Sequence, residues 1–224
     1  MEQEQKRFNG GLLVIFEGID GAGKTTEVRR VQEALKSENW FVVNRRTPGG
    51  TAIGEELRTT MMRPISRPAM TDLYISAAIQ EALIEEIESQ RQNGAIILLD
   101  RSPLSIAAYQ IYGSGVNPEI GWHFVDDGMA RMKPNVTLIY DCPPKVGLKR
   151  ARSLSNQFDY FESKPESYFE KVSEGYKAVA EKYNAVVLDA NQPIETVHAQ
   201  TMHHISSLLQ QSASQATPPA PVQS

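Results

Sequence analysis

The sequence predicts an α/β fold in which a five-stranded parallel sheet lies between two layers of helices, and three observations predict it. Five short apolar runs, at 12–16, 41–43, 96–99 with Ala95 leading, 136–140 and 185–188, are continuous rather than alternating. Strands buried on both faces have that pattern. Stretches with apolar residues at helical spacing separate the runs, and a glycine-rich turn joins the first run to the first such stretch. At 224 residues, 41% hydrophobic and 22% charged, the chain suits one sizeable domain.

Taken in order, residues 1–10 are polar and read as a flexible N-terminus. The run 12–16 is the first strand, followed by a helix over 25–37 with Val28, Val31 and Leu35 along one face. A strand at 41–43 precedes a long helix over 70–91, with Leu73, Ala77, Leu83, Ile84 and Ile87 as its apolar positions. After the strand at 96–99 comes a helix over 117–131, with Pro118 suited to its first turn. The strand at 136–140 leads to helices over 144–152 and 166–182, which flank the polar stretch 153–164, a candidate mobile lid. The last strand, 185–188, precedes a terminal helix holding His198, His203 and His204. Residues 210–224 are rich in Ser, Gln, Ala and Pro and read as a disordered tail, leaving a domain over 11–209. Alternating strands and helices demand right-handed crossovers and put the ligand crevice beyond the carboxyl ends of the strands.

Composition narrows the partners. A net charge of -4 with a pI of about 5.7 argues against a nucleic-acid polymer or an anionic membrane as the main partner. The single cysteine, Cys142, excludes an intrachain disulfide and favours a reducing, cytoplasmic compartment. The opening residues have no apolar leader segment, and no stretch reaches the roughly 18 apolar residues of a membrane span. The four histidines show no metal-ligand spacing, so the only metal expected is Mg²⁺ carried with a nucleotide.

The segment Gly18-Ile19-Asp20-Gly21-Ala22-Gly23-Lys24-Thr25 satisfies G-x-x-x-x-G-K-[ST], directly after a buried strand and directly before an amphipathic helix. Its glycines let successive N–H groups face phosphate oxygens, and the helix adds the positive end of its dipole. Lys24 would reach the β and γ phosphates and the Thr25 hydroxyl would ligate Mg²⁺. Asp100 and Arg101 close the third strand, where an aspartate can hold Mg²⁺ and an arginine can clamp a phosphate. A helix-capping Asp100 beside a solvated Arg101 is the alternative for that pair. Arg46 follows the second strand and precedes Pro48-Gly49-Gly50-Thr51, a turn that brings backbone and charge to a second phosphate.

Four segments resemble thymidylate kinases in content and order: EGIDGAGKTT at 17–26, RTPGGT at 46–51, DRSPLSIAAYQ at 100–110 and KPNVTLIYDCPPKVGLKRARS at 133–153. The likeness runs to about Leu209. It implies a three-layer P-loop kinase fold with a lid, ATP and Mg²⁺ held at 18–26 with Thr26 included, and phosphoryl transfer to the 5′-phosphate of dTMP. By the same resemblance Asp20 contacts the deoxyribose 3′-hydroxyl, and Arg46 and Arg101 bind the acceptor phosphate next to Pro48. Ser105, Tyr109 and Gln110 approach the nucleoside. Arg150, toward ATP, and Arg152, in catalysis, are the lid arginines, since Ala22 leaves the phosphate loop without one. A homodimer packed through helices is also implied.

The chain departs from the family at Thr47, where a Glu is usual, and at Asp159-Tyr160-Phe161-Glu162, where D-R-x-E is common. It also has Ile75 and Ile79 where an aromatic stacks on thymine and an Arg reads it, leaving Tyr74 as the aromatic to stack instead. Two other readings stand beside this one. A kinase acting on another deoxynucleoside or deoxynucleoside monophosphate would, for a hydroxyl acceptor, use Glu17 as general base. A nucleotide-binding regulatory module would have little turnover.

Overall fold

In the computed structural model, which describes residues 5–154, 160–161 and 163–215, the strands are β1 (Leu12–Glu17), β2 (Val42–Arg46), β3 (Ile96–Asp100), β4 (Val136–Asp141) and β5 (Val186–Asp189). All pair in parallel, in the order β2-β3-β1-β4-β5. The core forms because β1 is buried along its whole length and Ile96, Ile97, Leu98 and Leu99 of β3 are fully buried beside it. Register then aligns the polar strand ends. Asp100 stands opposite both Phe16 and Arg46, so Glu17, Arg46 and Asp100, with the residues that follow them, open onto one edge of the sheet.

The helices α1 (Lys24–Ser37), α3 (Ala69–Gln92), α5 (Pro118–Met132), α6 (Pro144–Leu154) and α7 (Glu166–Tyr183) fall where the periodicity predicts them, each within two residues. Two elements were not anticipated. Helix α2 (Ala52–Met62) follows the 47–51 turn, with Thr51 as its cap accepting from the Gly54 N–H at 3.0 Å. A short α4 (Leu104–Ile106) runs on into a π-helical segment, Ala107–Gly113. Such wide turns recur at functional sites. Helix α7 lies against that segment, and Gly175 permits the approach: a Cβ there would be 2.7 Å from the Ala108 Cα.

Several boundaries differ from the sequence reading: β2 runs to Arg46, three residues past the expected strand 41–43, so Arg46 ends that strand rather than following it. Helix α8 (Ile194–Gln215) continues six residues past the expected end of the domain at 209. Its side of the molecule is tied by a buried Tyr140–Thr201 hydroxyl contact of 2.8 Å. The N-terminal segment is anchored rather than loose: Lys6 forms a parallel bridge with Trp40, and the Phe8 N–H donates to the Gly94 carbonyl at 2.9 Å. Of the expected lid, Ser153 ends within α6 and Lys164 makes a backbone turn to Phe161. Residues 155–159 and 162, including Asp159 and Glu162, lie outside the described residues, as do 1–4 and 216–224. Among the described residues no helix is long and apolar enough to cross a membrane.

Candidate active site

The loop between β1 and α1 wraps back on the ends of β4 and α6. Gly18 and Gly21 both take positive φ, and a Cβ at Gly21 would lie 1.9 Å from the Gly147 carbonyl oxygen. Only glycine fits there. Lys24 is 5% exposed, and its ammonium donates to the Gly18 and Ile19 carbonyls at 2.9 and 2.8 Å. Burial, with help from the Arg101 cation, lowers its pKa from 10.5 to about 8, against the opposing pull of Asp100, Asp20 and Glu17. The Thr25 hydroxyl donates to Asp100 Oδ2 at 2.6 Å. These two oxygen donors at a phosphate loop suit Mg²⁺, a hard cation that takes few protein ligands and fills its shell with water and phosphate.

Arg101 sits just beyond β3 in the left-handed region, φ 67°, held there by its N–H donating to the Phe16 carbonyl at 2.9 Å. That backbone turns its guanidinium into the sheet edge. It pairs with the Asp20 carboxylate and donates to the hydroxyls of Tyr109 and Tyr176, both at 3.0 Å. The Tyr109 hydroxyl in turn donates to Asp20 Oδ2 at 2.8 Å. Burial alone would raise the Asp20 carboxyl, but Arg101, Lys24 and the Tyr109 hydrogen bond hold it below its ordinary value. Burial pushes both tyrosine hydroxyls well up, so they stay protonated.

Glu17 supports this arrangement from behind. It is fully buried, accepting from the Ser102 N–H (2.7 Å), the Ser102 and Ser105 hydroxyls (2.8 and 2.9 Å) and the Tyr176 hydroxyl (2.8 Å). Both oxygens are therefore engaged by protein, which corrects its reading as a general base for a substrate hydroxyl. Tyr176 was not identified in the sequence, because its helix lies 75 residues from Arg101.

Two clefts meet at this point. The phosphate cleft is lined by Gly21, Gly23, Lys24, Thr25, Thr26 and Arg150, with Arg46 and Asp100 beside them. The second, more apolar cleft is lined by Pro48, Ser105, Tyr109, Gln110 and Phe161, and reaches Ser76, Gln80 and Leu83 of α3. Asp20, Thr47, Arg58 and Arg101 line both. Arg58, whose guanidinium donates to the Pro48 carbonyl at 2.8 Å, was missed because α2 was missed. Arg46 pairs with Glu55 at 2.8 Å, and Glu55 also accepts from the Gly50 N–H at 2.8 Å, which ties the 47–51 turn to α2.

Some expected residues stand elsewhere. Tyr74 is 58% exposed and packs edge-on against Phe124, outside either cleft. Ile79 is in the core, so the polar positions of α3 that face the cleft, beside Leu83, are Ser76 and Gln80 instead. Arg150 donates to the Ala190 carbonyl at 3.0 Å at the edge of the phosphate cleft, whereas Arg152 is exposed and lines neither cleft. Two residues along a helix turn the side chain by about 200°, so both arginines of α6 cannot face one site. From the lid segment, Phe161 is buried edge-on against Tyr109 at 5.9 Å and closes one side of the second cleft.

A family model described as thymidylate kinase matches residues 16–201. Among similar curated proteins are thymidylate kinases of Alkalilimnicola ehrlichii, 35% identical over 84% of this chain and 88% of that protein, and of Thiobacillus denitrificans, 36% identical over 89% and 97%. A third, from Pseudomonas fluorescens, is 34% identical over 90% and 96%. A P-loop at the edge of a five-stranded parallel sheet, opening on a second cleft through a shared arginine, is thus accompanied by sequence similarity along nearly the whole chain, and the protein belongs to the thymidylate kinase family.

Proposed function

We propose that the protein transfers the γ-phosphoryl group of MgATP to the 5′-phosphate of dTMP, giving ADP and dTDP. The observation that carries this reading is the junction of the two clefts at Asp20, Thr47, Arg58 and Arg101. One cleft has the loop and lysine that hold a triphosphate, and the other has the size and mixed lining of a nucleoside site.

The acceptor is already an oxyanion, so little acid–base chemistry is needed and catalysis rests on alignment and neutralised charge. In this reading the loop N–H groups at 18–25 hold the donor phosphates and Lys24 leaves the carbonyls of Gly18 and Ile19 to meet them. Arg101, with Arg46 and Arg58, orients the acceptor phosphate. Asp20 accepts from the sugar 3′-hydroxyl, and Ser105, Tyr109 and Gln110 line the nucleoside. Thr25 and Asp100 would hold Mg²⁺, which supplies charge neutralisation between the phosphates when bound. Arg150 flanks the ATP side. The 153–164 segment acts as the lid of a domain ending near α8, excluding water from the junction. A homodimer through α3 and α5 is supported by exposed Tyr74 and Ile120 on those helices, and a cytoplasmic location by the buried free thiol of Cys142.

The test is ADP release from MgATP across dTMP, dUMP, dCMP, dAMP, dGMP and thymidine. We expect dTMP to be preferred and thymidine inert, and Lys24→Ala to reduce dTMP turnover by roughly 10²–10³-fold. Turnover of thymidine in preference to dTMP, or a Lys24→Ala enzyme within tenfold of wild type, would sink the proposal.

A further inference from the structure

We propose that Gln80 reads the N3 edge of the pyrimidine, its side-chain oxygen accepting the imino N3–H, and thereby selects thymine and uracil over cytosine. The inference rests on the acceptor reading of the second cleft. Gln80, on α3, lines that cleft together with Asp20, Arg101 and Tyr109 and is only 6% exposed.

The orientation of its amide is fixed by chemistry. Nε2 lies 3.1 Å from the Phe124 carbonyl oxygen, which can only accept, so the nitrogen must face it and the oxygen must point elsewhere. That oxygen is buried and has no hydrogen-bond partner among the described residues. Buried amide oxygens are nearly always paired, and one left open beside a ligand cleft calls for a donor from the ligand. Room for the amide is kept by Gly128 of α5, where a Cβ would lie 2.0 Å from Nε2 and 2.8 Å from the Pro103 ring.

An acceptor at this position discriminates by sign. Thymine and uracil present N3–H, a donor, to the Gln80 oxygen. Cytosine presents a bare N3 lone pair, which sets acceptor against acceptor and leaves both unpaired in a buried site. Ser76, one turn before Gln80 on α3, is a second polar group lining the cleft. Because thymine and uracil share the imino group, Gln80 does not separate dTMP from dUMP.

The experiment compares kcat/KM for dTMP, dUMP and dCMP in wild type and in Gln80→Met, which keeps the length and removes the amide. We expect the dTMP-to-dCMP ratio to fall by roughly 10- to 100-fold in the variant, through loss of dTMP activity, with the KM for ATP unmoved. Equal losses on dTMP and dCMP would mean that Gln80 only supports packing, and an unchanged ratio would likewise overturn the assignment. A wild-type measurement stands independent of the variant's folding: the imino proton of ¹⁵N3-labelled dTMP in the complex should be protected from exchange with water, and rapid exchange would refute the contact. If wild type phosphorylates neither dTMP nor dUMP, the acceptor reading itself fails. If it phosphorylates dTMP while Gln80→Met keeps the wild-type ratio, the Gln80 assignment alone fails.

Discussion

Burial and the Arg101 cation bring the Lys24 ammonium down from 10.5 to about 8, which links this side chain to pH in two ways. Between about pH 8 and 10.5 the unfolded chain binds more protons at this site than the folded one, so the lysine's contribution to stability rises with pH across that window. Nucleotide phosphates favour the ammonium, so binding above pH 8 must draw a proton back. We expect ATP binding at about pH 8.5 to take up a fraction of a proton, seen as a calorimetric heat that varies with the ionisation enthalpy of the buffer. A buffer-independent heat would show that the lysine is already fully charged. Affinity should weaken as pH climbs past 8 for the same reason. Lys24, Thr25 and Arg101 were legible as cleft residues because each sits at a strand end or in a motif whose spacing is set by backbone geometry, and Asp20 through the family resemblance; all four line the phosphate cleft. Sequence alone could not place Gln80 or Tyr74, since both lie on α3, and the apolar spacing there left the helix's rotation open by one residue. Ile79 took the core and turned its neighbour Gln80 to the cleft.

Among the elements, the contact between α7 and the π-helical segment sets the shape of the second cleft. Gly175 makes it possible, and Tyr176, the next residue, reaches Glu17 and Arg101 from it. Gly175→Ala should therefore force the two elements apart, costing about 1–3 kcal/mol of stability by urea titration. It should also raise the KM for dTMP more than that for ATP. A variant with wild-type stability and unchanged KM values would mean that the helices can slide without disturbing Arg101. Strands and most long helices were legible because buried parallel strands carry unbroken apolar runs and amphipathic helices repeat every 3.6 residues. The π-helical segment was not, since Ala107–Gly113 has the composition of an ordinary helix end. Helix α2 has a glycine, Gly54, three residues after its cap and holds paired threonines, so its propensity is weak and its cap is the main signal.

Taken together, the parts give a molecule whose two clefts are completed by segments far apart in sequence: the loop after β1, the turn after β2, α3, and α7 with Phe161. Ligands that bind only the folded state should stabilise it by mass action. At a hundredfold excess over Kd the gain is about 2.7 kcal/mol, a Tm rise of roughly 5–10 °C for a chain of this length. We expect a non-hydrolysable ATP analogue and dTMP each to raise Tm in differential scanning fluorimetry, and the pair to raise it further. A protein that responds to the ATP analogue but never to dTMP would have no acceptor cleft of the kind described. The pairing of Lys6 with Trp40 has a different consequence. Strand β2 is the outer strand of an open sheet, and outer strands offer unpaired N–H and C=O groups to any extended chain that drifts near. By bonding to the Asn39 carbonyl and the Phe41 N–H just ahead of that strand, the N-terminal segment covers the approach to its first residues, so a stretch of chain with no part in chemistry shields part of the edge on which another extended chain could pair.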